Sequence, residues 1–396
     1  MNSPTKTVPR YDPDIYRREA ILDPYPHYQR LRDLGSVVWL NRQKVYALPR
    51  YTECRAVLRD DKTFLSGHGV GLNGLTNRMS RGTTLNSDGA EHDIRRKLVA
   101  HRLMPRALRH MGEAVDAQAR DVVDRAVTRQ QIDGVEDIAL ALPLAVVPDL
   151  VGWPSDHRDH LLVWAAATFN VLGPVNAQAV KAAPATLRML HYARRVVRER
   201  NVTEGSMAHE VLQAADRDEV SEADCAAMML DYIAPSLDTT ISAIANALNL
   251  FARHPEQWDL LRSDPALINN AVNEVVRHES PVRAFTRYVA VDSRIGGTVL
   301  PAGSRSLVIY ASANRDEREW DDPNRFDITR DANRHLGFGQ GAHACAGQGL
   351  ARLETAAILR ALIDRVQRIE IAGEATWALN NIIHRHAHLP LRLVPA

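Results

Sequence analysis

A cysteine near the carboxyl-terminal end of the chain stands in a glycine-rich loop directly before a predicted helix. The loop reads HLGFGQGAHACAGQGL over residues 335–350 and contains Cys345. Glycines permit a tight turn and a close approach of the backbone to a flat ligand. Backbone amides and the positive end of the following helix stabilise a thiolate, the form of cysteine that ligates metals. The pattern therefore predicts a thiolate ligand facing a flat group.

Six positions around that cysteine follow the pattern of a known cofactor loop. They are Phe338, Gly339, Gly341, His343, Cys345 and Gly347. A buried structural cysteine would not account for so many matches in ten residues. The stretch closely resembles the haem-thiolate loop of the cytochrome P450 family. The resemblance implies haem b with the Cys345 thiolate as the iron ligand, which favours O–O cleavage. It also implies a mainly α fold with small β-sheets (α+β), shaped as a triangular helical prism.

Three further stretches resemble the same family, in the family's order. The first contains Glu274 and Arg277, which are three residues apart on one predicted helix face and resemble the family's buried structural pair. The second, residues 320–327, resembles the irregular segment beside that pair. The third contains His92 and Arg96. The resemblance also implies that basic side chains anchor the haem propionates. The cofactor-binding residues predicted in this way are His92, Arg96, Arg287 and His343, together with Phe338, Gly339, Cys345 and Gly347 of the loop.

Oxygen chemistry is expected in a long apolar helix predicted over residues 222–253. There Asp238 and Thr239 form an acid–hydroxyl pair. The resemblance implies that Thr239 hydrogen-bonds iron-bound oxygen and that Asp238 relays protons from solvent. The small residues usual before the acid are replaced by Pro235 and Ser236. Because proline removes a backbone donor, we expect a kink that either fixes the oxygen pocket or narrows it.

Much of the chain resembles bacterial members of the family that hydroxylate or demethylate para-substituted benzoates. Those enzymes hold the substrate carboxylate with an Arg-Ser pair in the central helix, and this chain has Leu230 and Asp231 at those positions. They also use an Arg and a Ser in a loop, which in this chain reads RMSRG at 78–82. Asp231, on the same helix face as Asp238, would repel a benzoate and favour a phenol, an amine or an amide. Alternatively it pairs with a neighbouring arginine. The predicted substrate contacts are Phe169, Leu172, Asp231, Pro235, Val282, Phe285 and Ile383.

Helices must supply most of the scaffold for these residues. From residue 91 to about 262, apolar residues recur at spacings of three and four, and a last helix is predicted from Leu350 to about Arg365. After Ser280 the pattern changes to short β runs broken by turns, with a hairpin at 295–298. Residues 1–15 resemble a flexible amino-terminal arm. Without repeats or linkers beyond it, residues 16–396 are predicted to form a single domain.

Composition restricts the class of protein. The 396 residues are 45% apolar and 24% charged, which is typical of a folded globular chain. A net charge of +1 gives no general attraction to nucleic acid or anionic lipid. The most apolar stretch, 138–153, contains two prolines and is shorter than the roughly 20 residues of a membrane helix. The chain begins without the apolar run of a signal peptide, and its three dispersed cysteines fit no disulfide framework. We therefore expect a cytoplasmic protein without a membrane anchor or a nucleic-acid partner.

A second group of potential ligands lies near the carboxyl terminus. His384, His386 and His388 alternate, so on a strand they would share one side and could bind a metal. We favour the simpler interpretation, a strand that carries solvated histidines.

These observations predict a haem-thiolate monooxygenase that hydroxylates or O-demethylates a small aromatic substrate with O2. The resemblance implies that NAD(P)H supplies electrons through a ferredoxin reductase and an acidic ferredoxin, docked on the Cys345 side where Arg352 could contribute. Two alternatives stay open. One is a biosynthetic oxidase that couples aromatic groups of a peptide or natural product. The other is a non-catalytic haem-binding protein that recruits partners, against which Asp238 and Thr239 argue.

Overall fold

The computed structural model describes residues 8–396, apart from the side chains at positions 99, 101 and 105. Helices dominate, as predicted. They are α1 (Arg18–Leu22), α2 (Tyr25–Leu34), α3 (Tyr51–Arg59), α4 (Gly74–Met79), α5 (Gly89–Ala100), α6 (Pro105–Arg129), α7 (Ala141–Val151), α8 (Leu161–Leu172), α9 (Ala177–Glu199), α10 (Met207–Asp216), α11 (Glu222–Arg253), α12 (Pro255–Ser263), α13 (Ile268–His278), α14 (Tyr310–Ala313) and α15 (Gln348–Arg365). None of these helices is both long and apolar enough to cross a membrane.

Small sheets complete the fold. The strands are β1 (Arg10–Tyr11), β2 (Val38–Leu40), β3 (Val45–Leu48), β4 (Phe64–Leu65), β5 (Gln131–Asp133), β6 (Phe285–Val289), β7 (Ser293–Ile295), β8 (Thr298–Leu300), β9 (Arg305–Val308), β10 (Val366–Ile371), β11 (Thr376–Trp377), β12 (His386–His388) and β13 (Pro390–Pro395). The largest sheet has the order β1-β2-β3-β9-β6-β4, and a three-stranded sheet has the order β10-β13-β5. The pairs β7-β8 and β11-β12 stand apart, and β7-β8 is the hairpin predicted at residues 295–298.

The amino-terminal segment is more ordered than the predicted flexible arm. Strand β1 pairs in parallel with β2, with Tyr11 opposite Leu40. Tyr11 and Ile15 are buried in a cluster that includes Leu31 of α2. The prediction was wrong for this part because two apolar side chains, spaced among polar ones, attach the segment to the sheet. Residues 1–7 of the predicted arm lie outside the described residues, and the single domain over 16–396 stays a prediction.

Helix α11 runs over the predicted residues and is buried along much of its length. The Ser221 hydroxyl accepts the Ala223 N–H and caps its first turn. The helix packs against α7, α8, α9 and α15. It continues as a helix through Pro235. Helix α15 begins at Gln348, two residues before the predicted start, so its first turn follows Cys345 closely.

Candidate active site

A cavity lies between α11 and the loop that carries Cys345. Its empty volume is about 1390 Å³, part of which is open to solvent. Its wall brings together helices, strands and loops that are far apart in the sequence. The predicted site residues that line it are His92, Arg96, Phe169, Asp231, Pro235, Thr239, Val282, Phe285, Arg287, Phe338, Gly339, His343, Cys345 and Gly347.

The cysteine loop is constrained by glycines and a backbone hydrogen bond. Gly339 and Gly341 have φ angles of +66° and +74°, a region that favours glycine. A Cβ on Gly341 would lie 2.3 Å from the Leu58 carbonyl oxygen, so any side chain there would push the loop away from α3. The Cys345 N–H donates to the Phe338 carbonyl at 2.8 Å. Cys345 is thus fixed at the cavity wall by its backbone.

Opposing electrostatic effects act on the Cys345 sulfur. Burial raises the pKa of this thiol, whereas the amides of Gly347 and Gln348 and the guanidinium groups of Arg96 and Arg352 lower it. Both amides belong to the start of α15, the positive end of that helix. A metal cation in the cavity would supply the further positive charge that a buried thiolate needs.

Four basic side chains converge on the same cavity. His92 and Arg96 lie one turn apart on α5, Arg287 lies on β6, and His343 lies in the cysteine loop. His92 is buried, and its Nε2 atom has no hydrogen-bond partner among the described residues. The ring centroids of His92 and His343 are 4.3 Å apart. An orphaned polar atom among convergent cations fits an anionic group inside the cavity. With the cysteine and the glycine turn, these residues fit a haem and its propionates.

The Glu274–Arg277 pair is fully buried in α13. Arg277 donates from Nε to Oε2 at 2.6 Å and from Nη2 to Oε1 at 2.7 Å. Arg277 also donates to the Pro323 carbonyl at 2.9 Å, and the Asp327 N–H donates to Glu274 at 3.1 Å. The pair therefore attaches the irregular segment 320–327 to α13.

Thr239 and Pro235 lie one turn apart on the face of α11 that lines the cavity. The Thr239 hydroxyl donates to the Pro235 carbonyl at 2.6 Å. Because Pro235 has no amide proton, the backbone hydrogen bond to the Asp231 carbonyl is missing here. The backbone of α11 thus orients the Thr239 hydroxyl at the cavity wall.

Asp238 does not line the cavity. It is fully buried, and its Oδ1 lies 2.7 Å from Nε of Arg385. Burial raises the pKa of the Asp238 carboxyl, and Arg385 lowers it. No motif marks Arg385, which lies far along the chain just before β12, so the sequence analysis missed it. A proton relay through Asp238 therefore depends on whether its carboxylate is paired with Arg385.

Asp231 lines the cavity, whereas Asp238, predicted to share its helix face, does not. Oδ2 of Asp231 accepts the Leu85 N–H at 3.2 Å. Burial raises the pKa of Asp231 to about 6, against the lowering effects of hydrogen bonds from Leu85 and Thr84 and of the Arg95 charge. Within the described part of the chain, no arginine comes within ion-pair distance of Asp231. The alternative expectation of a direct arginine pair is therefore wrong.

Two predicted substrate contacts do not reach the cavity. Leu172 and Ile383 pack with Phe169 and Ile382 in a small apolar cluster. Ile383 also forms an isolated β-bridge with Val282. These two side chains lie behind the wall. The prediction was wrong for them because apolar character does not reveal which apolar residue faces the ligand.

The carboxyl-terminal histidines differ from expectation, and Arg352 has two neutral hydrogen-bond partners. Arg352 donates to Asn273 at 3.1 Å and to Gln348 at 2.7 Å, so it is engaged within the protein. His384 and His386 are not solvated: both are buried and stack on Trp377, with ring centroids 4.0 and 3.8 Å from it. The residues that the structure describes contain no group of three or more potential ligands placed to hold a metal ion.

A half-buried cysteine, a glycine turn and convergent basic groups around a large cavity define the haem-thiolate class of proteins. The chain belongs to the cytochrome P450 family, and it is a cytochrome P450 monooxygenase with a haem-thiolate cofactor. The family model "Cytochrome P450" matches residues 177–369. The chain is 35% identical to "Cytochrome p450 CYP199A2" of Rhodopseudomonas palustris, covering 98% of this chain and 95% of the relative. It is 31% identical to "Cytochrome P450 monooxygenase PikC" of Streptomyces venezuelae, covering 98% and 95%.

Solved structures agree with the mainly helical fold. The haem domain of CYP116B5 from Acinetobacter radioresistens superposes with a TM-score of 0.87 at 24% identity, covering 96% of this chain and 97% of that one. CYP109Q5 from Chondromyces apiculatus superposes with a TM-score of 0.81 at 29% identity, covering 97% and 99%. The predicted α+β architecture is confirmed.

Proposed function

We propose that this monooxygenase hydroxylates or O-demethylates a small aromatic compound in the cavity beside Cys345. The observation that carries the proposal is the apolar character of the wall, which includes Phe169, Val282 and Phe285. Most of the surface that the wall exposes to the cavity is apolar, which favours a ligand with an apolar body. The 35% identity to CYP199A2 and the resemblance of several stretches to benzoate-oxidising members support an aromatic substrate.

The residues of the chain would bind and position the haem. Haem b, bound through the Cys345 thiolate, supplies oxygen activation. Charge-assisted hydrogen bonds would hold its propionates. The Cys345 loop would leave room for the macrocycle. The pair of Glu274 and Arg277 would fix the segment 320–327. The proposed propionate ligands are His92, Arg96, Arg287 and His343, and the proposed loop contacts are Phe338, Gly339 and Gly347.

Proton delivery would use two neighbouring positions on different faces of α11. The Thr239 hydroxyl holds a proton at the cavity wall. Asp238 brings protons from outside the cavity wall, and its ion pair with Arg385 affects its charge. General acid catalysis of this kind contributes roughly 10²- to 10⁴-fold to a rate.

Electrons would come from NAD(P)H through a ferredoxin reductase and an acidic ferredoxin, docked on the Cys345 side. Arg352 donates only to the neutral side chains of Asn273 and Gln348, so it keeps its positive charge and would contribute to docking with other basic residues of that side. Hydroxylation of a methyl group then consumes O2, two electrons and two protons, and yields the alcohol and water.

Turnover with labelled oxygen tests the proposal. The haem-loaded enzyme, reconstituted with a ferredoxin and its reductase, is given NAD(P)H, ¹⁸O₂ and para-methyl or para-methoxy aromatic compounds. We expect one labelled oxygen in the alcohol from the methyl compounds, and formaldehyde with a phenol from the methoxy compounds. NAD(P)H consumption without any oxidised product would contradict the proposal.

Pro235 and Ser236 at the cavity wall favour a second candidate, the oxidase that couples aromatic groups. They stand where small residues are usual, so the space for oxygen differs from that of a typical hydroxylase. Coupled products without label from ¹⁸O₂ would support this candidate. The third possibility, a non-catalytic haem protein, predicts no substrate-dependent NAD(P)H consumption at all.

A further inference from the structure

Asp231 is the one acidic residue among the described residues that line the cavity. It precedes Thr239 by eight residues, which places it about 12 Å from Thr239 along the helix axis. It is only partly buried because it faces the cavity. A carboxylate at that depth is costly unless a partner offsets its charge.

The basic groups of the cavity are not free to bind a substrate carboxylate. Arg96 and Arg287 belong to the proposed propionate set. Arg78 and Arg81, in the loop that carries carboxylate contacts in the benzoate-oxidising members, are exposed and lie outside the cavity wall. A benzoate would therefore meet Asp231 without a compensating cation.

The neighbouring arginine on α5 is also engaged. Arg95 forms ion pairs with Glu91 and with Asp224, the latter at 2.8 Å. It lowers the pKa of Asp231 only through space. Arg96 also interacts with Asp231 through space, but it belongs to the proposed propionate set, so a cation that pairs directly with Asp231 would come from the ligand.

We propose that the substrate carries a protonated amine, bound by Asp231, on an aromatic body that packs against Phe169 and Phe285. The inference rests on the proposed function, since it describes the polar end of the same aromatic substrate. A buried charge-assisted hydrogen bond from an ammonium to a carboxylate is both strong and selective. Asp231 is then the specificity-determining residue of this cavity.

Asp231 also supports the loop of residues 80–86, because it accepts the Leu85 N–H. The variant Asp231→Asn separates the two roles. Asparagine keeps an oxygen that accepts the Leu85 amide, but it lacks the charge that binds an ammonium. The variant Glu222→Gln is the matched control, since it removes an exposed carboxylate in the first turn of α11 that does not line the cavity.

Three matched ligands test the inference on the ferric haem-loaded enzyme. They are 4-methoxybenzylamine, 4-methoxybenzyl alcohol and 4-methoxybenzoate, titrated by calorimetry and by the Soret band. We expect the amine to bind about 10-fold more tightly than the alcohol, and the benzoate to bind most weakly. Asp231→Asn should remove the preference for the amine, and Glu222→Gln should keep it. A blue shift of the Soret band is expected, because the amine lies at Asp231 and not on the iron.

Three outcomes would overturn the inference: equal binding of amine and benzoate, an unchanged preference in Asp231→Asn, or a red shift from amine ligation of the iron. The neutral alcohol distinguishes failure of this inference from failure of the proposed function. If the alcohol is demethylated but no amine preference exists, only the inference fails. If none of the three ligands is oxidised with electron partners present, the proposed function fails.

Discussion

The Cys345 wall of the cavity is built mainly from backbone, whereas the α11 wall is built from side chains. On the first wall, positive φ angles at Gly339 and Gly341 and two amides at the start of α15 set the position and charge of the cysteine. On the second, the groups that matter are the carboxylate of Asp231 and the hydroxyl of Thr239. Backbone geometry tolerates little change, so the first wall preserves the cofactor chemistry. The second can change its substrate or its proton supply by single substitutions.

Helices α11 and α15 each carry a buried acidic side chain, and the two side chains differ in their partners. Asp238 of α11 is paired with Arg385 at 2.7 Å. Glu354 of α15 is equally buried, but neither of its carboxylate oxygens has a hydrogen-bond partner in the described part of the chain. Burial raises the pKa of Glu354 to about 8. At neutral pH, Glu354 is therefore mostly a neutral acid, whereas Asp238 forms an ion pair.

Replacing the cysteine should have the largest effect. In Cys345→Ala the backbone of the first wall is intact, but the thiolate is gone. We expect loss of the red-shifted Soret band of the reduced carbon monoxide complex, and a rate lowered by more than about 10³-fold. Cys225→Ala, at a buried position outside the cavity, should retain the band. A red-shifted band in Cys345→Ala would show that another residue ligates the iron.

Breaking the pair that supports the first wall should be nearly as damaging. Arg277→Met leaves Glu274 buried without its bidentate partner, which costs roughly 3–5 kcal/mol of stability. Urea unfolding of the haem-loaded protein measures the loss. The double variant Glu274→Leu/Arg277→Met also removes the buried carboxylate, whose remaining ion-pair partner is Arg330 at 3.4 Å, and should regain part of the lost stability. Equal stability of the single variant and the wild type would contradict the role assigned to the pair.

The sequence was sufficient where function depends on local pattern. The loop of Cys345 and the buried pair of Glu274 and Arg277 could be predicted because they resemble motifs of a known family, and the bounds of α11 because apolar periodicity encodes them. The Asp238–Arg385 pair could not, because distant segments meet only through packing. The same reason explains Leu172, an apolar residue of α8 whose distance from the cavity depends on how that helix is rotated.

Removing the acid from the second wall should slow turnover without weakening substrate binding. Asp238→Asn should lower the rate by about 10²-fold, at the lower end of what general acid catalysis contributes. Arg385→Gln removes the group that lowers the pKa of Asp238, so the pH profile of turnover should move to higher pH. Substrate affinity from the Soret shift serves as the control. A change in affinity without a change in rate would place Asp238 in substrate binding.

The smallest effect is expected from the unpaired acid of α15, and it should appear as a pH dependence of stability. Unfolding exposes Glu354 and returns its pKa from about 8 towards the ordinary value of 4.5. Between these values the folded state holds a proton that the unfolded state releases, so stability is greatest below the lower value and falls as pH rises. The slope is about 1.4 kcal/mol per pH unit. Glu354→Gln cannot ionise and should flatten the dependence of urea unfolding between pH 6 and 8, whereas an unchanged slope would mean that Glu354 is charged and paired in solution.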